Sequence, residues 1–409
     1  MRIGEALGAD HDAAPLHLAV ALDGAGWHPA AWREPRARPG ELFTAGYWVD
    51  LAGEAERGLL DFVTIEDSLG VQSSRWDAPD DHVDQVRGRP DAVLVAARVA
   101  PLTRHVGLVP TATVTHTEPF HISKAIATLD YVSTGRAGWR VKVSVRPDEA
   151  AHFGRRTIPA VRPTDRDDPQ TLAVVTELFD EAADHVEVVR RLWDSWEDDA
   201  EIRDATTGRF IDRDKLHYID FEGRWFSVRG PSITPRPPQG QPVVTALAHS
   251  TVSYRLAARA VDVVYVTPRD AAGARAIEQE MRAAQVAAGR ERERLLVFAD
   301  LVVFLDGPDT RARERKARLD DLAGAEYTSD AQVFVGSASE LADLVLRWRS
   351  AGVSGFRLRP GAIPHDLEAI TRDLVPQLQR RGVFRRRYEA SSLRGLLGLP
   401  RPANRYITT

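Results

Sequence analysis

Short apolar runs alternate with segments of helical period from one end of the chain to the other, and this order constrains the fold more than any other feature. Residues 16–22 (LHLAVAL) are the first expected strand and 44–60 the first helix, and 61–65 (DFVTI) with 91–100 repeat the unit. A third strand at 105–111 leads to a helix at about 120–132, and a fourth at 137–143 to a long helix ending near Trp193. Strands at 242–247 and 262–266 flank a helix at 250–259, a seventh lies at 295–305, and 355–358 follows a helix at 338–350 as the eighth. Eight strand–helix units predict an α/β fold, a (β/α)8 TIM-type barrel, with function at the C-terminal strand ends.

The 409 residues fit one barrel domain, 1–409, at the upper end of the usual size. Insertions are expected at about 146–171, 196–240 and 307–328, with a C-terminal extension at about 382–409. Loops this long are lids, binding loops or surface elaboration. The stretch 196–240 is rich in Asp, Gly and Pro with short alternating pieces, which predicts a β-rich excursion. On the long fourth helix Leu172, Val175, Phe179, Ala182, Val186, Val189 and Trp193 recur at steps of three or four, a stripe expected to face the sheet.

Charge and composition exclude several classes. With 54 Lys+Arg against 59 Asp+Glu the net charge is −5, which argues against a nucleic-acid binder working by phosphate neutralisation. The basic run Arg385-Arg386-Arg387 is read as a solvated or subunit-contact surface. Absence of cysteine excludes disulfides, thiolate nucleophiles and cysteine-held metal. Acidic residues stand where a signal peptide would carry its apolar run, and no stretch approaches eighteen apolar residues, so a cytoplasmic protein without membrane contact is expected. Gly24 and Gly26 lack the third glycine of a dinucleotide fingerprint, since Pro29 stands there, and no Walker loop, G-x-S-x-G elbow or H-E-x-x-H occurs. His116 and His121 are spaced wrongly for one helix face, and no metal site is expected.

Four segments carry a specific resemblance: DFVTIEDSLG, GLVPTATVTHTEPFHISKAIATLDYVSTGRAGWRV, HVEVVRRLWDSWEDDA and FEGRWFSVRGPSITPRPPQGQPV, together with the tail LVPQLQRRGVFRRRYEASSLRGLLGLPRPAN. Over nearly the whole chain the sequence resembles the bacterial luciferase-like flavin monooxygenases, nearest the nitrilotriacetate monooxygenase branch. The resemblance implies a barrel that takes reduced FMN from a separate flavin reductase and reacts it with O2 to oxygenate a small organic substrate. A barrel without a nicotinamide fingerprint needs its electrons from outside, and long loops suit the exclusion of water from such chemistry.

The resemblance also implies cofactor residues. Asp67 holds the family's acidic position after the second strand, beside Glu66 where the branch usually has a small residue; Thr111 matches a strand-three threonine and Thr113 stands where a serine is usual. The fourth-strand motif, in the branch like W-N-x-V-T-S, is here Trp139-Arg140-Val141-Lys142-Val143-Ser144, which keeps Trp139 and Ser144 but replaces the asparagine and the threonine. An R-Y pair in the fourth helix is replaced by Leu178-Phe179, and the phosphate loop, in the branch like Q-A-G-S-S-x-x-G, is residues 246–253 with Ala248, His249 and Ser250. Losing a loop glycine and two donors weakens an anion site, and Arg140, His249 and Thr251 are the candidates to compensate.

Each of these residues has a plainer reading. Asp67 can cap the next helix, Glu118 beside Pro119 reads as a first-turn acid, and Arg140 can form a buried ion pair with Asp67 or Glu66 instead of meeting phosphate. His116 is the catalytic acid–base candidate. Trp193 and Trp196 are expected to pack. The alternative to an oxygenase is a luciferase-like barrel that has lost FMN, serving as a non-catalytic partner subunit or as a deazaflavin-dependent hydride-transfer enzyme. A homo-oligomer is expected, because the branch the sequence resembles usually assembles and because 382–409 is long for a terminal helix tail.

Overall fold

The computed structural model describes residues 15–407 apart from 76, 166, 167 and 308. The first fourteen residues, on which the reading of the N-terminus rests, and the last two of the extension lie outside the described residues. The strands are β1 (His17–Leu22), β2 (Phe62–Ile65), β3 (Gly107–Thr113) and β4 (Gly138–Lys142). Two hairpins follow, β5 (Glu201–Asp204) with β6 (Arg209–Ile211) and β7 (Phe221–Glu222) with β8 (Ser227–Val228). The chain then continues through β9 (Val243–Leu247), β10 (Val263–Val266), β11 (Leu296–Leu305), β12 (Gln332–Gly336) and β13 (Gly355–Pro360). Parallel pairings run β1-β2-β3-β4-β9-β10-β11-β13 and back to β1, so eight strands close a barrel, as the alternation predicts. Helices α1 (Ala45–Arg57), α2 (Ala92–Val99), α3 (Pro119–Val132), the short α4 (Pro147–Ala151), α5 (Pro169–Asp194), α6 (Thr251–Ala260), α7 (Ala271–Ala287), α8 (Asp309–Ala323) and α9 (Ala338–Arg349) belong to its crossovers. Three short helices, α10 (His365–Ala369), α11 (Val375–Arg380) and α12 (Leu393–Leu396), follow the last strand.

Two expectations are corrected. The stretch 307–328 is not a bare loop: it contains α8 and leads to β12, which pairs with the upper half of β11 beyond the point where β10 leaves it. The sequence of α8 hides its period because Ala312 and Leu319 are buried among charged residues, while its Ala, Arg, Glu and Leu content favours helix. The stripe on α5 buries only from its second half: Leu172 is 45% exposed, whereas Ala182, Val186, Val189 and Trp193 are buried against the barrel.

Alternation along each strand sends every second side chain inward. The floor of the barrel is apolar, with Ala19, Phe62, Val109, Val243 and Phe298 packed on Leu393 and Leu397 from the C-terminal extension. Gly107 makes this plug possible, because a Cβ there would lie 2.6 Å from Leu393 Cδ1. Arg385 of the basic run binds Asp61, which also accepts from His17 Nδ1 at 2.9 Å, and Arg394 reaches Asp262 at 3.2 Å. The extension is thus used inside its own chain, closing the N-terminal end of the barrel and leaving the opposite end for function.

Candidate active site

Above the apolar floor the barrel interior turns ionic. Asp300 on β11, with no exposed surface, accepts from Arg357 Nε at 2.8 Å and Arg359 Nε at 3.0 Å, both on β13. Arg359 continues to Asp330 at 2.6 Å, and Arg357 lies over the Tyr265 ring at 4.2 Å and reaches Glu66 at 3.1 Å. Arg140 on β4 donates from Nη1 to Glu66 Oε2 at 2.7 Å and to Thr111 Oγ1 at 3.0 Å. Burial pushes the Glu66 carboxyl up, but Arg140 and Arg357 outweigh it and hold the group down at about 2. Of the two readings of Arg140, the observed contact is the buried pair with Glu66.

Arg140→Ala is therefore expected to destabilise the ligand-free protein by about 1.5–3 kcal/mol, the worth of a hydrogen bond between charged groups, since Arg357 remains beside Glu66. Thermal melting without and with flavin checks this, and an unchanged melting temperature would retire the structural role.

At the next level the C-terminal ends of β2, β3 and β4 bring together Asp67, Thr113, Lys142 and Ser144. Lys142 shares the inward face with Arg140, two residues away; it is largely buried, which lowers its pKa, and donates to the Asp67 carbonyl at 3.0 Å. The Asp67 carboxylate accepts from Ala92 N at 3.0 Å, at the start of α2, and from Ser68 N at 2.6 Å; burial raises its pKa. Ser144 is buried, with its amide held by Thr115 Oγ1 at 2.8 Å. His116 is buried, stacked on Phe153 with ring centroids 5.1 Å apart, and its Nε2 has no partner. Desolvation, and next Arg156, lower its pKa and favour the neutral ring.

Two stretches, 68–75 and 146–158, meet over these residues. Ser68 Oγ donates to Glu149 Oε1 at 2.6 Å, and Arg146 Nη1 to the Arg75 carbonyl at 2.9 Å. Glu149, in α4, is fully buried with Oε2 unpartnered. Beneath this roof Leu178 packs with Ala150 and Ile158, so the apolar residue at that position supports the cover. Glu118 lies outside, ion-paired with Arg155 at the start of α3. Beside the β1 end a cavity of about 140 Å3 is lined by Gly24, Trp27, Trp32, Gln72 and Val86, and Gln72 Oε1 there is buried without a partner.

Not every expected residue converges. Trp139 faces outward, packed among Val186, Val189 and Trp193 on the helix side of β4, because it alternates with the inward Arg140. His249 and Ser250 are exposed in the turn before α6, next to β4 around the barrel through β9. Sequence reading missed Lys142, legible from its alternation with Arg140, and Glu149, Asp300 and Arg357, whose partners come from distant strands and loops.

A closed barrel with buried ionisable groups and hydroxyls at its C-terminal mouth is the arrangement of the barrel class of enzymes, whose sites lie at the C-terminal strand ends. The model of the luciferase-like monooxygenase family matches residues 25–344, and the chain belongs to that family. It is 30% identical to N-acetyl-S-(2-succino)cysteine monooxygenase of Bacillus subtilis (strain 168), over 96% of this chain and 98% of that protein. It is also 30% identical to nitrilotriacetate monooxygenase component A of Aminobacter aminovorans, over 95% and 97%. The structure of the EDTA monooxygenase from Chelativorans sp. BNC1 superimposes with a TM-score of 0.79 at 25% identity, over 95% of this chain and 99% of that one.

Proposed function

We propose that the chain is the oxygenase component of a flavin-dependent monooxygenase, taking reduced FMN from a separate reductase and using O2 to oxygenate a small organic substrate. The observation that carries this reading is the roofed mouth, where His116 Nε2 and Glu149 Oε2 are buried without partners beside the hydroxyls and cation of β3 and β4. Buried polar atoms without protein partners at an open barrel end are places where a ligand or an ordered water completes the hydrogen bonding. Bound reduced flavin supplies the electrons for oxygen activation.

Thr113, Lys142 and Ser144 are the residues assigned to the flavin ring's polar edge, with Thr111, Arg140 and Asp67 supporting them from below and beside. Neutral His116 is assigned the proton transfer, and Glu149 with the 146–158 stretch excludes water. The cavity with Gln72 is assigned to the substrate. The ring end of the cofactor fits these residues. A cytoplasmic homo-oligomer completes the proposal; among the described residues no helix is long and apolar enough to cross a membrane.

Anaerobic titration with photoreduced FMN is expected to give saturable 1:1 binding per chain, and mixing that complex with O2 to give flavin reoxidation slower than for free flavin. No binding of any reduced flavin would sink the proposal.

A further inference from the structure

Lys142 breaks a pattern that the other cations around it keep. Inside the barrel Arg140 meets Glu66, Arg357 meets Asp300 and Glu66, and Arg359 meets Asp300 and Asp330. In the loops above, Arg89 pairs with Asp23 and Arg146 with Asp148. Lys142, at the C-terminal end of β4, is largely buried, yet its one partner among the described residues is the Asp67 backbone carbonyl at 3.0 Å. An ammonium carries three N–H donors, so two remain for something else. The Asp67 carboxylate does not take them, because it is turned to the amides of Ser68 and Ala92. Glu149 in the roof and Glu66 below attract the ammonium without touching it, while Arg89 and Arg140 repel it. A desolvated cation in this setting is unfavourable until an anion comes into contact with it.

The surroundings of Lys142 are those assigned to the flavin ring. Thr113 is its strand partner on β3, and Ser144 lies two residues further along the chain. Arg140, the next inward residue toward the floor, is committed to Glu66. The cavity beside the β1 end, assigned to the substrate, has no Lys or Arg in its lining. The cation is also particular to this chain, since the motif W-N-x-V-T-S has valine where Lys142 stands.

Reduced flavin is an anion once ring N1 has released its proton to solvent, with the charge shared between N1 and the C2 carbonyl, whereas the oxidised ring is neutral. We propose that Lys142 is the binding residue that supplies the counter-charge to this anionic ring, so that its ammonium on β4 sets how strongly the site prefers reduced over oxidised flavin. This rests on the flavin reading above.

The test uses the full chain with FMN in both oxidation states, so that the phosphate contributes equally to each. Lys142→Met keeps the reach of the side chain and removes the charge, and Lys142→Gln does the same should methionine disturb the fold. Anaerobic ultrafiltration is expected to show reduced FMN weakened about tenfold or more in the neutral variants and oxidised FMN by less than about threefold, the loss of one charge-assisted contact. Lys142→Arg is expected to keep the preference for the reduced state. Spectroelectrochemical titration reads the same effect as a fall in the midpoint potential of bound flavin by about 30 mV or more, the two-electron equivalent of tenfold. Thermal melting of the ligand-free variants is expected to show no loss, because an unpaired desolvated charge has been removed.

An unchanged ratio of reduced to oxidised affinity in a folded neutral variant would overturn the assignment to Lys142 and leave the flavin reading intact. Succinate serves as a carboxylate probe: binding to the wild-type chain that disappears in Lys142→Met, with the flavin ratio unchanged, would overturn the assignment in favour of a substrate carboxylate. Failure of the wild-type chain to bind reduced FMN would overturn both.

Discussion

Replacing Asp300 with alanine is expected to cost about 3–5 kcal/mol of stability, the usual consequence of removing one partner from a fully buried ion network. The carboxylate serves two guanidiniums at once, Arg357 and Arg359, and all three side chains are almost wholly inaccessible. Without it two like charges are left side by side in the barrel, with Glu66 on one flank and Asp330 on the other as the remaining counter-charges. Urea denaturation followed by far-UV circular dichroism measures the loss, and a midpoint within error of wild type would show that water or rearrangement relieves the arginines. An apolar barrel interior would be at least as stable, so the network is better explained by what stands above it: Arg140 and Glu66 form the base on which the mouth residues rest.

Stability is also expected to fall on mild acidification because of His185. This residue of α5 is completely buried, its ring 5.9 Å from that of Trp139, and burial pushes its pKa down to about 3. The unfolded chain takes up the proton near the ordinary value of 6.5 while the folded chain refuses it. The stabilising contribution of the neutral ring is therefore complete above pH 6.5 and declines as pH falls toward 3, by about 1.4 kcal/mol per unit. Between pH 6.5 and 4.5 this amounts to about 2–3 kcal/mol. His185→Leu removes the titration and the unpartnered Nε2, so its stability should exceed that of wild type increasingly as pH falls. His28 and His116 also have lowered pKa values, so a smaller slope persists in the variant. Parallel stability profiles for wild type and variant would exclude His185 as the source.

The neutral histidines separate two roles that look alike in sequence. His116 and His185 are both buried with an unpartnered Nε2, but His185 lies between barrel and helix layer, while His116 lies at the mouth beneath the roof segment. His116 follows the end of β3, whereas His185 is set within α5. The distinction comes from which end and which side of the barrel each occupies.

Much of the architecture was legible in the amino-acid order. Alternating apolar runs and helical segments determine eight barrel strands, because a strand buried on both faces must be apolar throughout and a crossover helix must carry one apolar stripe. Strand alternation likewise determines that Arg140 and Lys142 share a face opposite Trp139. What the order of residues does not contain is closure. Whether Arg140 meets a phosphate or Glu66 depends on the two strands' positions around the barrel, 74 residues apart in sequence. The union of Asp300 with Arg357, the seating of Leu393 under Gly107 and the placement of Glu149 over Ser68 likewise exist only once the ring is shut. Ser253 is a further case: its spacing from Ser250 marks a helix start, but only the folded turn shows its hydroxyl accepting from the His249 and Ser250 amides. Local pattern decides element and face, since both follow from backbone geometry, whereas the partner of a buried polar group is decided by tertiary distance.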